Sequence, residues 1–429
     1  MTMIRPETEM KDSGIQWLGN IPKEWSIIKG KYILKQLSRS VLESDNVVTC
    51  FRDGEVTLRS NRRELGFTNS LKEIGYQGVE PGDLVVHGMD GFAGAIGISD
   101  SRGKMSPIIN VLESGECKKY LMYYLRGLAF VNVFLGLSTG IRERSCDLRW
   151  NKLANLEYTI PPLSEQQAVA NYLDKTCSKI DEIIAEAKAS IDEYKELKQA
   201  VIFEAVTKGL DKNINVYKTG NSWIPSLPVG IKLSRFGLHH DIILGKMLCP
   251  NPRNEEDTLE PYYCAANVHF DGVTGVLKTM WFNSKEKETY VVHKNDMLIV
   301  EGGAGAGGAA IMNEEPPVST FVQNSIMIVR SHMKDNRYSC YLVQALVKNK
   351  YVDVVCNKAT IPHFTKEKVS YMPYPVFNRN ERNEIANYLD ERCKQIDSLI
   401  AEKESLINDL EAYKKSLIYE VVTGKRKVV

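Results

Sequence analysis

The run EGGAGAGG (301–308) follows the apolar stretch MLIV. It carries the Gly303-x-Gly305-x-x-Gly308 spacing of a loop that cradles a dinucleotide or S-adenosylmethionine. That chemistry needs the loop to open a helix whose N-terminus faces the ligand. Here AAIMNEEPPV reaches Pro316 and Pro317 almost at once, and the related run GMDGFAG (88–94) lacks the spacing. A loop that lets backbone approach a partner closely is the better reading. The chain has no GxxxxGK(S/T) phosphate loop and no Asn-Pro-Pro-Tyr or Asp-Pro-Pro-Tyr of amino-methyltransferases; Asn251-Pro252-Arg253 lacks the aromatic. His239 and His240 are adjacent and cannot share a metal as an i, i+4 pair would, and the other histidines have no cysteine or carboxylate at ligand spacing. With no nucleophile, base and orienter in a recognisable set, the residues point to binding rather than catalysis, with no catalytic or metal-ligating residue.

The residues suited to binding are basic and lie in turn-rich stretches. Arg52, Arg59, Arg62 and Arg63 crowd one segment, His87 ends the run LVVH, and Arg142, Arg144 and Arg149 lie just before a helical segment. Lys246 sits beside Gly245, and Lys358, Thr360, His363 and Lys366 lie in or at the end of KATIPHFTK, again just before a helical segment. Arginine reads guanine bidentately in the major groove, while lysine and threonine more often hold phosphate. Each alone also fits solvated surface; their recurrence at equivalent places favours a DNA-binding set.

An internal repeat positions them. ANYLDKTCSKIDEIIAEAKASIDEYKELKQAVIFEAVT (170–207) aligns without gaps on residues 386–423, with 17 identities in 38 positions. Fainter echoes pair SGIQWLGNIP (13–22) with TGNSWIPSLP (219–228), and residues 82–98 with 295–311. The 3.6-residue pattern predicts two long helices. Ile180, Ile184, Ala187, Ile191 and Tyr194 form the seam of the first; Ile396, Ile400, Ile407, Leu410, Tyr413 and Leu417 form that of the second. Ser164 with Gln167 reads as a capping box, and Gly209 and Gly424 as stops. Each helix must bury its stripe on something comparably long, and the other copy fits, antiparallel in a pseudo-two-fold arrangement. Between them, alternating stretches such as VVTCFRDGEVTLRS (47–60) and TYVVHKNDMLIVEGG (289–303) predict strands. The fold class expected is α+β: two tandem domains with curved mixed sheets, each followed by a long helix, the helices packed as an antiparallel coiled coil.

The net charge of +1 hides a segregation: residues 161–212 carry −3 and 381–424 carry −4, leaving +8 on the rest. A hydrophobic share of 43% and a charged share of 25% fit a folded chain with no membrane span or secretory leader. Nine scattered cysteines without a Cys-x-x-Cys pair fit reduced thiols in a cytoplasm.

These features resemble the specificity subunits of type I restriction–modification systems, over essentially the whole chain. SGIQWLGNIPKEW, IPPLSEQQAVANYLDKTCSKID and RNERNEIANYLDERCKQID look like the family's recurring motifs. FRDGEVTLRSNRRELGFT with GYQGVEPGDLVVHGMDGFAGAIGISDSRGKMSP, and PYYCAANVHFDGV with MLIVEGG, look like two types of target-recognition domain. Cys264 and Gly308 depart from it by standing where similar second domains carry arginine, and FNRNE (377–381) replaces the PPLSE of 161–165. The resemblance implies an opening segment (1–25), recognition domain one (26–160), a spacer helix region (161–212), recognition domain two (213–376) and a second helix region with a basic tail (377–429). It implies that each domain reads half of a split double-stranded DNA target. The helices then act as a ruler and dock two modification (methyltransferase) subunits, with restriction subunits added for cleavage. S-adenosylmethionine, ATP and magnesium would belong to those partners, and none to this chain. Two rival readings are a stand-alone methyltransferase–reader fusion, which S-adenosylmethionine binding would reveal, and a helical scaffold or DNA-binding regulator, which genomic neighbours would reveal.

Overall fold

The apolar runs Leu84–His87 and Met297–Val300 become inner strands of two four-stranded antiparallel sheets. In the computed structural model, which describes residues 2–62, 74–136, 147–356 and 362–428, the chain divides into two units. Unit 1 comprises Met1–Lys188 and Lys403–Val429; unit 2 comprises Ala189–Glu402.

The sheet of unit 1 runs in the order Ile96–Ile98, Leu84–His87, Ile109–Ser114, Leu34–Gln36. That of unit 2 runs Ala309–Ile311, Met297–Val300, Ile326–Ser331, His240–Leu244, which is the same order. Parallel pairing occurs beside these sheets, between Tyr262–Tyr263 and Phe321–Val322 in unit 2. Residues 84–86 and Met297–Val300 are continuously apolar because both faces of these inner strands are covered. In unit 2, Leu298 and Val300 join Tyr263, Val268 and Ile328 on one side. Met297 and Ile299 meet Leu342, Val343 and Leu346 of the helix Arg337–Lys348 on the other. In unit 1, Val85 and Val111 pack with Val48 and Val56 of a hairpin. The helix Lys118–Phe130 lies against Leu84–His87 and Ile96–Ile98. Each buried aliphatic side chain stabilises its unit by about 1.5–3 kcal/mol.

The repeated segments are helices, Leu163–Lys208 and Arg379–Val422, packed together. Ile180, Ile184, Ala187 and Ile191 are buried, as are Ile396, Ile407 and Leu417, whereas Tyr413 departs from the expected seam and is exposed. Within unit 1, Asp181 pairs with Lys414 at 2.6 Å; within unit 2, Lys198 pairs with Asp397 at 2.7 Å. Asp181 and Asp397 are equivalent in the repeat, as are Lys198 and Lys414, so one interaction is made twice and the helices run antiparallel. The domain helices attach in the same manner. The Tyr120 hydroxyl donates to the Val422 carbonyl (3.1 Å) in unit 1, and the Tyr338 hydroxyl to the Val206 carbonyl (2.8 Å) in unit 2. The strand Thr2–Ile4 pairs with Arg426–Val428, tying the start of the chain to the segment after the second helix.

Both helices stop at glycine in left-handed backbone, Gly209 (φ +75°) and Gly424 (φ +74°), as expected. Their starts differ from expectation. Pro161 and Pro162 have no N–H, and the helix begins directly after them, so Ser164 falls inside its first turn and forms no cap. The backbone amides of Glu165 and Gln166 donate to the Pro162 carbonyl, and the Gln167 side chain donates through Nε2 to Asn171 Oδ1 (3.0 Å). The second helix carries the box instead. Asn378 Oδ1 accepts from the Glu381 amide (3.0 Å), and Glu381 Oε2 accepts from the Asn378 amide (2.9 Å).

Candidate nucleic-acid interface

Three of the basic residues expected in unit 1, Arg52, His87 and Arg149, come together at one end of its sheet. The hairpin joining Val48–Cys50 to Val56–Leu58 turns at Gly54 (φ +95°), which projects Arg52 across to Asp90, Nη2 to Oδ1 at 2.8 Å. Asp90 lies in the loop after Leu84–His87, and its amide and that of Met89 both donate to His87 Nδ1 (3.0 and 3.2 Å). With Nδ1 occupied as an acceptor, the neutral ring carries its proton on Nε2, and burial pushes the imidazole below its ordinary pKa. His87 is thus a neutral N–H donor.

Arg149 reaches the same place along a different segment. The Leu148 amide donates to the Gly88 carbonyl (2.8 Å), and buried Asn110 donates through Nδ2 to the carbonyls of Leu148 (3.0 Å) and Val86 (3.3 Å). This seats the Arg149 side chain beside Gly88, where a Cβ would come within 3.6 Å of Arg149 Cγ. Its Nε pairs with Asp147 at 3.2 Å, and most of the side chain is exposed. Arg59 and Arg62 sit elsewhere on the hairpin. Arg59 opens a short 3-10 turn with Nε 3.4 Å from Thr49 Oγ1. Arg62 pairs with Asp53 (2.6 Å) and Glu55 (3.1 Å), its guanidinium over the Phe51 ring at 4.2 Å.

Unit 2 builds the corresponding junction from other residues. The glycine-rich segment joins two antiparallel strands, Met297–Val300 and Ala309–Ile311, with Gly303 and Gly307 at positive φ, so it opens a strand and not a helix. The Phe364 amide donates to the Glu301 carbonyl (2.6 Å), as Leu148 does to Gly88. The step brings His363 Nδ1 to 3.6 Å from Glu301 Oε1. Lys366 is exposed as the first residue of the helix Lys366–Ser370.

Lys246 differs from the expectation of a phosphate ligand. Its side chain is only 4% exposed, and its ammonium donates to the Trp281 carbonyl (2.6 Å) and to the Glu286 carboxylate, above the Phe282 ring. Burial pushes the Glu286 carboxyl up, but the Lys246 ammonium and the Asn283 amide hold it below its ordinary pKa. Arg63, Arg142, Arg144, Lys358 and Thr360 lie outside the described residues.

The sequence reading missed Asp90 and Glu301. Both lie in the glycine-containing runs that follow the strands Leu84–His87 and Met297–Val300, runs weighed as cofactor loops and read as places of close backbone approach, not as sites of these side chains. The junctions offer fixed hydrogen-bond donors and acceptors. The thiols of Cys50, Cys177 and Cys340 are held protonated by burial, pushed up to about 12, about 11 and about 12, which leaves them poor nucleophiles. No helix among the described residues is long and apolar enough to cross a membrane.

No family model matches the chain. It is 24% identical over 369 residues to a Methanocaldococcus jannaschii protein assigned as the MjaX type I restriction enzyme specificity subunit, covering 84% of this chain and 77% of that one. Its fold is similar to a chain solved in work on complex assembly and conformational transition of the type I restriction–modification system (TM-score 0.72, 14% identity, 94% and 99% covered). It is also similar to the HsdS subunit from Thermoanaerobacter tengcongensis (TM-score 0.53, 14% identity, 94% and 98% covered).

Proposed function

We propose that this chain, a specificity subunit of a type I restriction–modification system, reads a double-stranded DNA target split into two half-sites, one per β-rich domain. Such subunits are non-catalytic. In this reading the chain works within an assembled complex, in which two modification subunits methylate, restriction subunits cleave, and S-adenosylmethionine, ATP and magnesium are held by those partners.

The observation that carries this reading is that the two units share strand order, helix attachment and helix ion pair, yet their junctions differ chemically. A repeated frame with unlike reading ends suits two unlike half-sites. In unit 1, Arg52, Arg149 and the His87 N–H supply donors. In unit 2, Glu301, His363 and Lys366 flank the junction. Phosphate contacts give affinity and salt dependence, and contacts to base edges in the major groove give sequence. The test is methylome sequencing of cells expressing the chain with its modification subunit. The expected result is one bipartite motif, methylated in both halves and interrupted by unspecified bases. A continuous motif, or none with an active modification subunit, overturns the reading.

A further inference from the structure

The two junctions place opposite chemistry at one point of the fold. Gly88 and Glu301 are equivalent: each amide donates to the residue before the neighbouring strand, Ile108 (3.0 Å) and Ser325 (2.8 Å). Each carbonyl accepts from a buried residue, Leu148 (2.8 Å) and Phe364 (2.6 Å). In unit 1 a Cβ at Gly88 would run into the Ile108 carbonyl oxygen (2.5 Å), so no side chain stands there; the Arg149 stem lies alongside, its Cγ 3.6 Å from that Cβ position, and the feature presented is a guanidinium. In unit 2 the place is taken by the Glu301 carboxylate itself, 19% exposed, with the His363 imidazole 3.6 Å away and no closer cation among its described ion pairs.

We infer that Glu301 is a specificity-determining residue of the second domain, accepting a hydrogen bond from the exocyclic amino group of a cytosine in the major groove. This rests on the reading of the chain as a DNA-recognition subunit. A carboxylate on a DNA-facing surface is repelled by phosphate, so it serves recognition only by meeting a base-edge donor. Two bases present one there, cytosine through N4 and adenine through N6. Adenine's donor lies between two acceptors, its own N7 and the paired thymine O4, which repel an acceptor-only carboxylate, whereas the cytosine amino group has an acceptor on one side only, the paired guanine O6. The guanidinium of Arg149 is the converse, a donor fork matched to guanine O6 and N7. The sequence shows no such opposition, because Glu301 aligns with a glycine and Arg149 reaches that point from sixty residues away.

The substitution Glu301→Gln tests this within the assembled methyltransferase. Its backbone bonds are unchanged, and the glutamine amide can pair with adenine N6 and N7. The bipartite motif is mapped for the parent and the variant, and binding of oligonucleotide duplexes carrying each base at every position of the second half-site is compared. The expected result is one position of that half-site at which the parent requires cytosine. There the variant loses roughly tenfold to hundredfold of its discrimination and gains adenine, while the first half-site is unchanged. A structural role for Glu301 would lower affinity for all duplexes alike, without changing base preference, and overturns the inference. So does an unchanged motif, or an affected position that is adenine in the parent. If the parent itself has no bipartite motif, the DNA-recognition reading fails as well, which separates the two failures.

Discussion

A lysine beside a glycine in a turn reads from sequence as an exposed phosphate ligand, yet Lys246 is a buried cation. Gly245 lets the backbone come against Gln323, and that close approach carries Lys246 under the Asn283–Glu286 cap of a short helix forty residues downstream. Nothing local in the sequence encodes that meeting, nor the one that brings Arg52 and Arg149 to the same end of the sheet; charge in a turn marked those two as candidates and no more. The substitution Lys246→Met is therefore expected to destabilise unit 2 by about 2–4 kcal/mol, because it leaves the Glu286 carboxylate half-buried without its buried cation, only the exposed Arg253 guanidinium remaining at 3.5 Å. Thermal unfolding measures the loss. The slope of log affinity for DNA against log salt stays as in the parent, whereas loss of a phosphate contact would lower it by roughly one. A lowered slope with unchanged stability would return Lys246 to the binding surface.

Helix existence and seam were legible because a 3.6-residue pattern held over roughly four turns in one copy and six in the other has no competing reading; helix starts were not. Ser164 had the type and spacing of a cap, but the two prolines before it start the helix early and place it inside. FNRNE, a departure from the first copy, contains the working box at Asn378 and Glu381. Tyr413 kept the seam's spacing but lies at its exposed edge. The asymmetry is testable: Asn378→Ala should cost about 1 kcal/mol and speed hydrogen exchange in the first turn of Arg379–Val422, while Ser164→Ala should change neither measurably. Equal losses at the two positions would mean that Ser164 caps its helix after all.

At the scale of the whole molecule, the duplication could be read from the helices and faintly from the pairing of 82–98 with 295–311, while strand order and the Gly88 and Glu301 junctions extend the equivalence to the domains, most of whose residues have diverged. Constant helices with divergent domains are what a spacer joining two unlike readers requires, and this yields a prediction about length. Four residues inserted between Ala187 and Tyr194, matched by four between Lys403 and Leu410, add about 6 Å to each helix and rotate the following residues by only about 40°, leaving the seam nearly in phase. The insertions fall between the two equivalent ion pairs, so Asp181–Lys414 and Lys198–Asp397 each stay within their own unit. At roughly 3.4 Å per base pair, the methylated motif should keep both half-sites while the unspecified gap grows by about one or two base pairs. An active double-insertion variant whose motif keeps its original gap would show that the helices do not set the spacing, because the added length would then have no effect on where the second domain finds its bases.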